Sequence, residues 1–395
     1  MSTYALPSVP YRDDTLSLID PVYQGESPRP LNPTLASYLA QIKTQIDSRQ
    51  DEWDRCKKLT NPYEYIHTAV PNSKQAVCKH KPLSRSFYKL VEIYNLMSLE
   101  DALPDSCKIF YLAEGPGGFI EAMTSMRKEN DDQHHAISLV DDKDPSVPGW
   151  KKSHGFIEKH QNIVLEMGKD NTGNLFNIDT LRDIHERHAL SADLVTADGG
   201  FNFSSDFNHQ EAISTQLIAC QIAYTVAVQK PGGSAIIKFF DTFTTASLDL
   251  VYFLLLAYED VSWVKPCTSR YANSERYAVC RGFRLKSVRG YVEKFCKMLE
   301  NAESGKAMTR LLTCEIPYLV LNKVEEYNAI FGQQQIESIA NTLNLIENPK
   351  HDKVDAMKKA NIGKCIAWCQ KYKLPYNRTI QTTNVFLGDR VSSSY

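Results

Sequence analysis

Long apolar runs are missing from this chain of 395 residues. The most apolar stretch, "LVYFLLLAY" at 250–258, falls well short of the ~20 residues needed to span a bilayer. The opening "MSTYALPSVPYRDD" lacks the basic region and apolar core of a secretory signal. A soluble, intracellular protein with no membrane partner is therefore expected. Paired cysteines are missing as well. The ten cysteines include no C-x-x-C pair and no zinc-ligand spacing, so buried thiols in a reducing compartment are expected, with no metal site. Net charge is almost absent at −2, which excludes a broad cationic surface. Any nucleic acid would have to be met by a local basic groove.

Phosphate-binding motifs are also missing, although a glycine-rich loop is present. In "YLAEGPGGFIEA" at 111–122 the glycines Gly115, Gly117 and Gly118 are spaced G-x-G-G, with Glu121 at the third position that a dinucleotide fingerprint reserves for glycine. No Lys-Ser or Lys-Thr follows, so a Walker loop is excluded too. Glu114 stands at the strand end, where a carboxylate repels phosphate and attracts a cation. The loop suits a positively charged ligand.

What is present is β-α alternation. Strands are predicted at "KIFYLA", "AISLVD", "NIVLE", "DLVTAD", "SAIIKF", "VSWVK" and "YAVCRGF", with helices between most of them. That pattern predicts an α/β fold, a Rossmann-like sheet of about seven strands covered on both faces, with ligands at the strand carboxyl ends. Only "PCTSRYANSER" separates the last two strands, so one of them is predicted to run antiparallel. Residues 1 to about 30 read as an extended arm. Helical spacing follows through Leu39, Ile42, Ile46 and Trp53. The tail from 289, including "YVEKFCKMLENAESGKAMTRLL", reads as helical. The division is an N-terminal extension over 1–80, a central domain over 81–288 and a helical C-terminal region over 289–395. His134 and His135 read as part of a polar turn, and "HERH" at 185–188 as a solvated helix face.

At "AEGPGGF", "TADGGF", "IIKFFDTFT" and "TSRYANSERYAVCRG" the chain resembles the FtsJ-like ribose 2'-O-methyltransferases. The branch it resembles most methylates messenger RNA caps and includes enzymes of large DNA viruses. The resemblance implies S-adenosylmethionine as cofactor, whose sulfonium and ammonium match an acid beside the glycine turn. It also implies a Lys-Asp-Lys-Glu tetrad, which falls here on Lys89, Asp198, Lys238 and Glu275. Lys89 lies off the apolar stripe Phe87, Leu90, Tyr94 of its helix. A ribose hydroxyl is a poor nucleophile and must lose its proton as it attacks. Lys238 is the implied acceptor, Asp198 would orient it, and Glu275 with Lys89 would align the hydroxyl; the protonation state of Lys238 stays open.

The resemblance further implies cofactor contacts from Glu114, Gly115, Pro116, Gly117, Gly118, Phe119 and Asp198. Asp141 is the candidate for the ribose diol, and Asp170 for the adenine amine or else a helix cap. Arg270, Asn273, Ser274 and Arg276, around Glu275, are candidate contacts to RNA, with Lys265 a further candidate for phosphate and surface ion pairing the alternative for the three cations. Phe201, Phe203, Phe240, Tyr271 and Tyr88 are candidate stacking platforms for bases. Three functions follow: a cap-directed mRNA enzyme, a ribosomal or transfer RNA enzyme on the same core, and a non-catalytic RNA-binding subunit. The extensions offer surfaces to RNA, a capping-machinery protein or a second copy, and the oligomeric state stays open. A cytoplasmic location is expected, including a viral factory or virion if the source is viral.

Overall fold

The computed structural model describes residues 2–23, 30–128, 130–200, 210–303 and 307–378. In chain order the elements are β1 (Ser2–Ala5), β2 (Ile19–Val22), α1 (Pro33–Asp47), α2 (Gln50–Thr60), α3 (Ser86–Leu96), α4 (Leu99–Ala102), β3 (Lys108–Leu112) and α5 (Gly118–Met126). Next come β4 (Gln133–Ile137), α6 (His154–Ile157), β5 (Ile163–Glu166), α7 (Ile178–His188), β6 (Ala192–Ala197), α8 (Gln210–Val228) and β7 (Gln229–Phe239). The rest are α9 (Thr245–Ala257), β8 (Tyr258–Lys265), β9 (Arg276–Phe283), α10 (Arg289–Glu303), β10 (Arg310–Leu312), α11 (Tyr318–Glu347) and α12 (His351–Lys371).

Strands β3 to β7 are apolar because both faces of the sheet are covered. Successive residues of a strand point to opposite faces, and the two cores sort them accordingly. Phe110 and Leu112 join the core that contains Val195, Ala197 and Ile237 and is closed by α7, α8, α9 and α10. Ile109 and Tyr111 join the other, with Leu194, Ile236, Tyr277 and residues of α3, α5 and α12. The strand order is β1-β8-β9-β7-β6-β3-β4-β5. Pairings from β5 through β7 are parallel, and β9 runs antiparallel to both β7 and β8.

The expected seven strands and closing antiparallel hairpin are present, and the sheet gains an eighth. The predicted arm supplies it: β1 pairs antiparallel with β8, Ser2 opposite Lys265 and Ala5 opposite Ser262. A second antiparallel strand results. The Ala5 carbonyl also accepts from the Tyr327 hydroxyl of α11 at 2.6 Å. A separate two-stranded sheet joins β10 to β2, so "RLL" at 310–312, within the predicted helical tail, is a strand.

The second central strand is displaced from its prediction, running Gln133–Ile137 and ending before "LVD". Its histidines are inside the sheet. His134 shares a 2.8 Å hydrogen bond with the buried Tyr111 hydroxyl, and His135 donates to Glu166 at 2.9 Å. His188, expected on a solvated face, is buried and bonds the same Glu166 at 2.9 Å. These three side chains bring ligand-type atoms within 4.8 Å of one another. Cations already fill their surroundings: Lys108 Nζ lies 2.9 Å from His188 Nδ1, and Arg187 donates to Glu166 at 2.7 Å. The cluster is a hydrogen-bonded ion-pair network that ties α7 to the sheet.

The extensions pack on the central unit. Asn32 caps α1 by accepting from the Leu35 N–H, with Pro33 at the first helical position. Ile42, Ile46 and Trp53 then bury against Ile339 and Leu343 of α11. Among the described residues no helix is long and apolar enough to cross a membrane. The ten cysteines are free thiols, eight of them buried.

Candidate active site

The carboxyl ends of β3, β6 and β7 open into a cavity of about 770 Å³. Sequence order puts three motifs there, because parallel neighbours all end on the same side of the sheet.

After β3 the chain turns sharply. The Gly117 N–H donates to the Glu114 carbonyl at 2.7 Å, and Gly117 has φ +104°, a conformation that side chains rarely tolerate. The Gly115 N–H donates to Ser138 Oγ at 3.0 Å, and a Cβ on Gly115 would stand 2.7 Å from the Gly149 carbonyl oxygen. Gly118 lets α5 approach α3, since its Cβ would lie 3.0 Å from the Phe87 backbone nitrogen. Ala113, Gly115 and Ser138 line the cavity. Pro116, Gly117, Gly118 and Phe119 shape the turn behind that wall. The Phe119 N–H donates to Glu114 Oε1 at 2.7 Å, and the Phe119 ring packs against Tyr277. Glu114 Oε2 is buried without a hydrogen-bond partner among the described residues. Burial, and after it the charge of Asp198, pushes this carboxyl well above the usual carboxylate range.

The four tetrad candidates meet beside this turn. Lys238 Nζ, from the end of β7, donates to the Asp198 carbonyl at 2.6 Å and lies 3.1 Å from Asp198 Oδ1. The Tyr277 hydroxyl donates to the same Oδ1 at 2.7 Å. Lys89 Nζ donates to Glu275 Oε2 at 2.8 Å, while Glu275 Oε1 is buried without a partner among the described residues. All of Lys89, Lys238 and Glu275 are less than a tenth exposed.

The two amines are driven apart. Burial depresses Lys89 against the pull of Glu275 and Asp198. Lys238 is raised: burial opposes its charge, but Asp198 and Glu275 outweigh burial. Burial likewise opposes the charge of Glu275, and Lys89 and Lys238 hold it well below the carboxylate range nevertheless. The two amines of one site thus shift in opposite directions, the kind of separation that acid-base chemistry uses.

The FtsJ-like methyltransferase family matches residues 82–283, a span that takes in all four of these side chains. The chain belongs to that family. Among curated proteins it is similar to cap-specific mRNA (nucleoside-2'-O-)-methyltransferase 1 of Drosophila melanogaster, 29% identical over 263 residues, 65% of this chain and 32% of that protein. The Xenopus laevis protein of the same name is 29% identical over 306 residues, 74% of this chain and 35% of its own. The human one is 30% identical over 255 residues, 61% and 30%. The chain spans about a third of the length of these curated relatives. The expectation of a viral source rests on the sequence resemblance alone.

Several predicted contacts are elsewhere. Asp141 is exposed, and its carboxylate accepts from the Lys143 N–H; Asp144, three residues on, lines the cavity instead. Asp170 is exposed and accepts from Thr172 and Asn177, organising its own loop, and Asn177 is the residue that caps α7. Arg276 points away from the cavity. It bonds Asn328 at 2.8 Å and is sandwiched 4.8 Å from the Trp263 ring and 4.9 Å from Phe331. Arg270, Asn273 and Ser274 do line the cavity, with Arg270 engaged by both oxygens of the buried Glu64 at 2.7 and 3.0 Å. Phe240 and Tyr271 line it too, whereas Tyr88 is core, its hydroxyl bonded to the His80 carbonyl. Phe201 and Phe203 lie outside the described residues.

Sequence reasoning missed Tyr277 and the outer wall. Gln50, Trp53 and Lys57 of α2, with Ser338 and Thr342 of α11, face the same cavity. No motif marks them.

Proposed function

We propose that this chain transfers a methyl group from S-adenosylmethionine to a ribose 2'-hydroxyl of RNA, at a nucleotide next to the mRNA 5' cap. The observation that carries this reading is the convergence of Lys89, Asp198, Lys238 and Glu275 on one cavity beside the glycine turn. The names of the similar curated proteins support the reaction and the cap.

The residues present fit the cofactor. Glu114, between the lining residues Ala113 and Gly115, has a buried carboxyl oxygen with no partner among the described residues, and an ammonium group beside it would offset the burial that disfavours its charge. Gly115 leaves no room for a side chain, so the backbone itself comes close to whatever the turn cradles. When bound, S-adenosylmethionine supplies an electrophilic methyl on a sulfonium. Ala113, Gly115 and Ser138 would lie along it on one side, with Asp198 near its positive centre.

Lys238 at rest is an ammonium held by Asp198. It could accept the 2'-hydroxyl proton only after losing one of its own to water in the open cavity, and a cationic ligand sharing Asp198 would loosen the carboxylate's hold on that proton. Lys238 Nζ would then take the proton of the 2'-oxygen, and the methyl would pass to that oxygen as its bond to the cofactor's sulfur breaks. Lys89 and Glu275 orient the hydroxyl. Holding a reactant in line contributes several kcal/mol to lowering a barrier. The RNA would lie between the loop carrying Arg270 to Ser274 and the wall made by α2 and α11.

Transfer of labelled methyl to short RNAs with and without a cap, by wild type and by Lys238→Ala, tests the reading. Wild type should prefer the capped RNA, and the variant should lose at least ~100-fold in rate, within the range for a general base. Equal incorporation by both proteins removes the catalytic assignment. Indifference to the cap moves the substrate to ribosomal or transfer RNA.

A further inference from the structure

Glu275 is presented by an irregular loop, residues 266–275, that joins β8 to β9. Its backbone is tied by two turn bonds, from the Ser269 N–H to the Pro266 carbonyl and from the Asn273 N–H to the Arg270 carbonyl, and the strand ladder begins only at Arg276. Two buried ionisable side chains add further ties. Glu92, three residues beyond Lys89 on α3, accepts from the Cys267 N–H at 2.7 Å and the Thr268 N–H at 2.8 Å, at the start of the loop. Lys265, at the end of β8, donates to the Asn273 carbonyl at 2.8 Å, to Asn273 Oδ1 at 3.1 Å and to the Glu275 carbonyl at 2.7 Å.

Both are buried, Glu92 completely and Lys265 to 5% exposure, and both lie behind the cavity wall. Apolar residues would fill that space at lower cost, since a buried charge is tolerated only when its hydrogen bonds are made. What polar groups add is direction: of the five bonds, all but the one to Asn273 Oδ1 fix a backbone atom of the loop. Helix α3 therefore grips the loop twice, at its start through Glu92 and at its last residue through Lys89, and Lys265 holds that same end by its backbone.

We propose that Lys265 and Glu92 are positioning residues for Glu275, holding the loop backbone so that the Glu275 carboxylate meets Lys89. The inference rests on the tetrad reading above. Neither residue touches the reacting atoms; both act through Glu275.

The test uses the full chain with Lys265→Met, Lys265→Arg, Glu92→Gln, Glu275→Gln and the double variant Lys265→Met/Glu275→Gln. It reads kcat, KM for cofactor and for RNA, and melting temperature. Lys265→Met and Glu92→Gln should each lower kcat roughly 10- to 100-fold, the scale of a misplaced catalytic group. The KM for cofactor should stay within about twofold, because the glycine turn is not part of this loop. Lys265→Arg, which keeps the charge and its donors, should recover part of the loss. The double variant should be no slower than Glu275→Gln alone, since a residue acting through another adds nothing once that other is gone.

Wild-type kcat in folded Lys265→Met and Glu92→Gln overturns the proposal. So does a double variant whose losses multiply, the pattern of general damage to the fold. If Lys265→Met does not fold, Glu92→Gln and Lys265→Arg carry the same comparison. An active Glu275→Gln overturns the tetrad reading and this one with it. An inactive Glu275→Gln beside a fully active Lys265→Met overturns this one alone.

Discussion

His134 shows how one residue ties the sheet to pH. Its ring is 2% exposed, sits in β4 and bonds the Tyr111 hydroxyl beneath the glycine turn. Burial lowers it to about 4. The sign follows from linkage: between the ordinary histidine value near 6.5 and about 4, the unfolded chain binds a proton that the folded chain refuses. Stability contributed by neutral His134 is therefore intact above about 6.5 and is lost as pH falls toward 4, at up to about 1.4 kcal/mol per pH unit. Denaturant melts at a series of pH values from 7.5 to about 4.5 should show that slope, and His134→Gln should flatten it. An unchanged slope in the variant would assign the acid sensitivity to other groups. The same scale explains the misplaced arginine. Glu275, Arg276 and Tyr277 are consecutive, and alternation sends Glu275 and Tyr277 toward the cavity side and Arg276 toward α11.

Helix α3 is the element on which the site depends. An apolar stripe through Phe87, Leu90 and Tyr94 predicts one buried face, yet every residue from Ser86 to Tyr94 is buried. Helix α5 covers it on one side, and Trp368 of α12 meets the Tyr88 ring edge-on on another. Lys89, off the stripe, is thereby sealed in with Glu275. Gly118 permits the α3–α5 contact. A Cβ there would stand 2.2 Å from Ser84 Oγ, 2.1 Å from Ser86 Oγ and 3.0 Å from the Phe87 backbone nitrogen. The serine hydroxyls can swing aside; the backbone cannot. Gly118→Ala should destabilise the chain by about 1–3 kcal/mol, the usual cost of overpacking, and should slow methyl transfer by shifting Lys89. Urea unfolding and turnover measured together check this. Unchanged stability and rate would mean that α3 yields without moving its lysine.

Across the whole molecule, the extensions complete the fold and the cavity. Strand β1 covers the edge of β8, which would otherwise present unpaired backbone groups. Helices α2 and α11 wall the cavity opposite the Arg270 loop, and Lys57 supplies positive charge there beside Asp54. Four lining cations, Lys43, Lys57, Lys238 and Arg270, are matched there by four lining carboxylates, Asp54, Asp144, Asp198 and Glu275, so the proposed RNA would meet individual cations rather than a net basic groove. Lys57→Ala should raise the KM for RNA and shallow its salt dependence by roughly one counterion, with cofactor affinity unchanged. Kinetics at two salt concentrations and cofactor calorimetry measure both. A loss of cofactor affinity instead would place Lys57 on the other side of the cavity.

Local chemistry was enough to read the glycine turn as a cradle for a cation, whereas Asp198, Lys238 and Glu275 were implied by the family resemblance, each at the end or border of an apolar run whose direction the β-α alternation sets. The same alternation dictated the α/β class, the parallel sheet and the hairpin at its edge. The sequence could not show that Asp141 and Asp170 turn into their own loops, since a side chain in irregular backbone takes its direction from tertiary contacts. Nor could it show that residues 2–5 form a strand, that α2 and α11 wall the cavity, or that Glu92 and Lys265 steady Glu275. Those facts depend on partners tens to hundreds of positions away, and only packing decides which distant side chains meet.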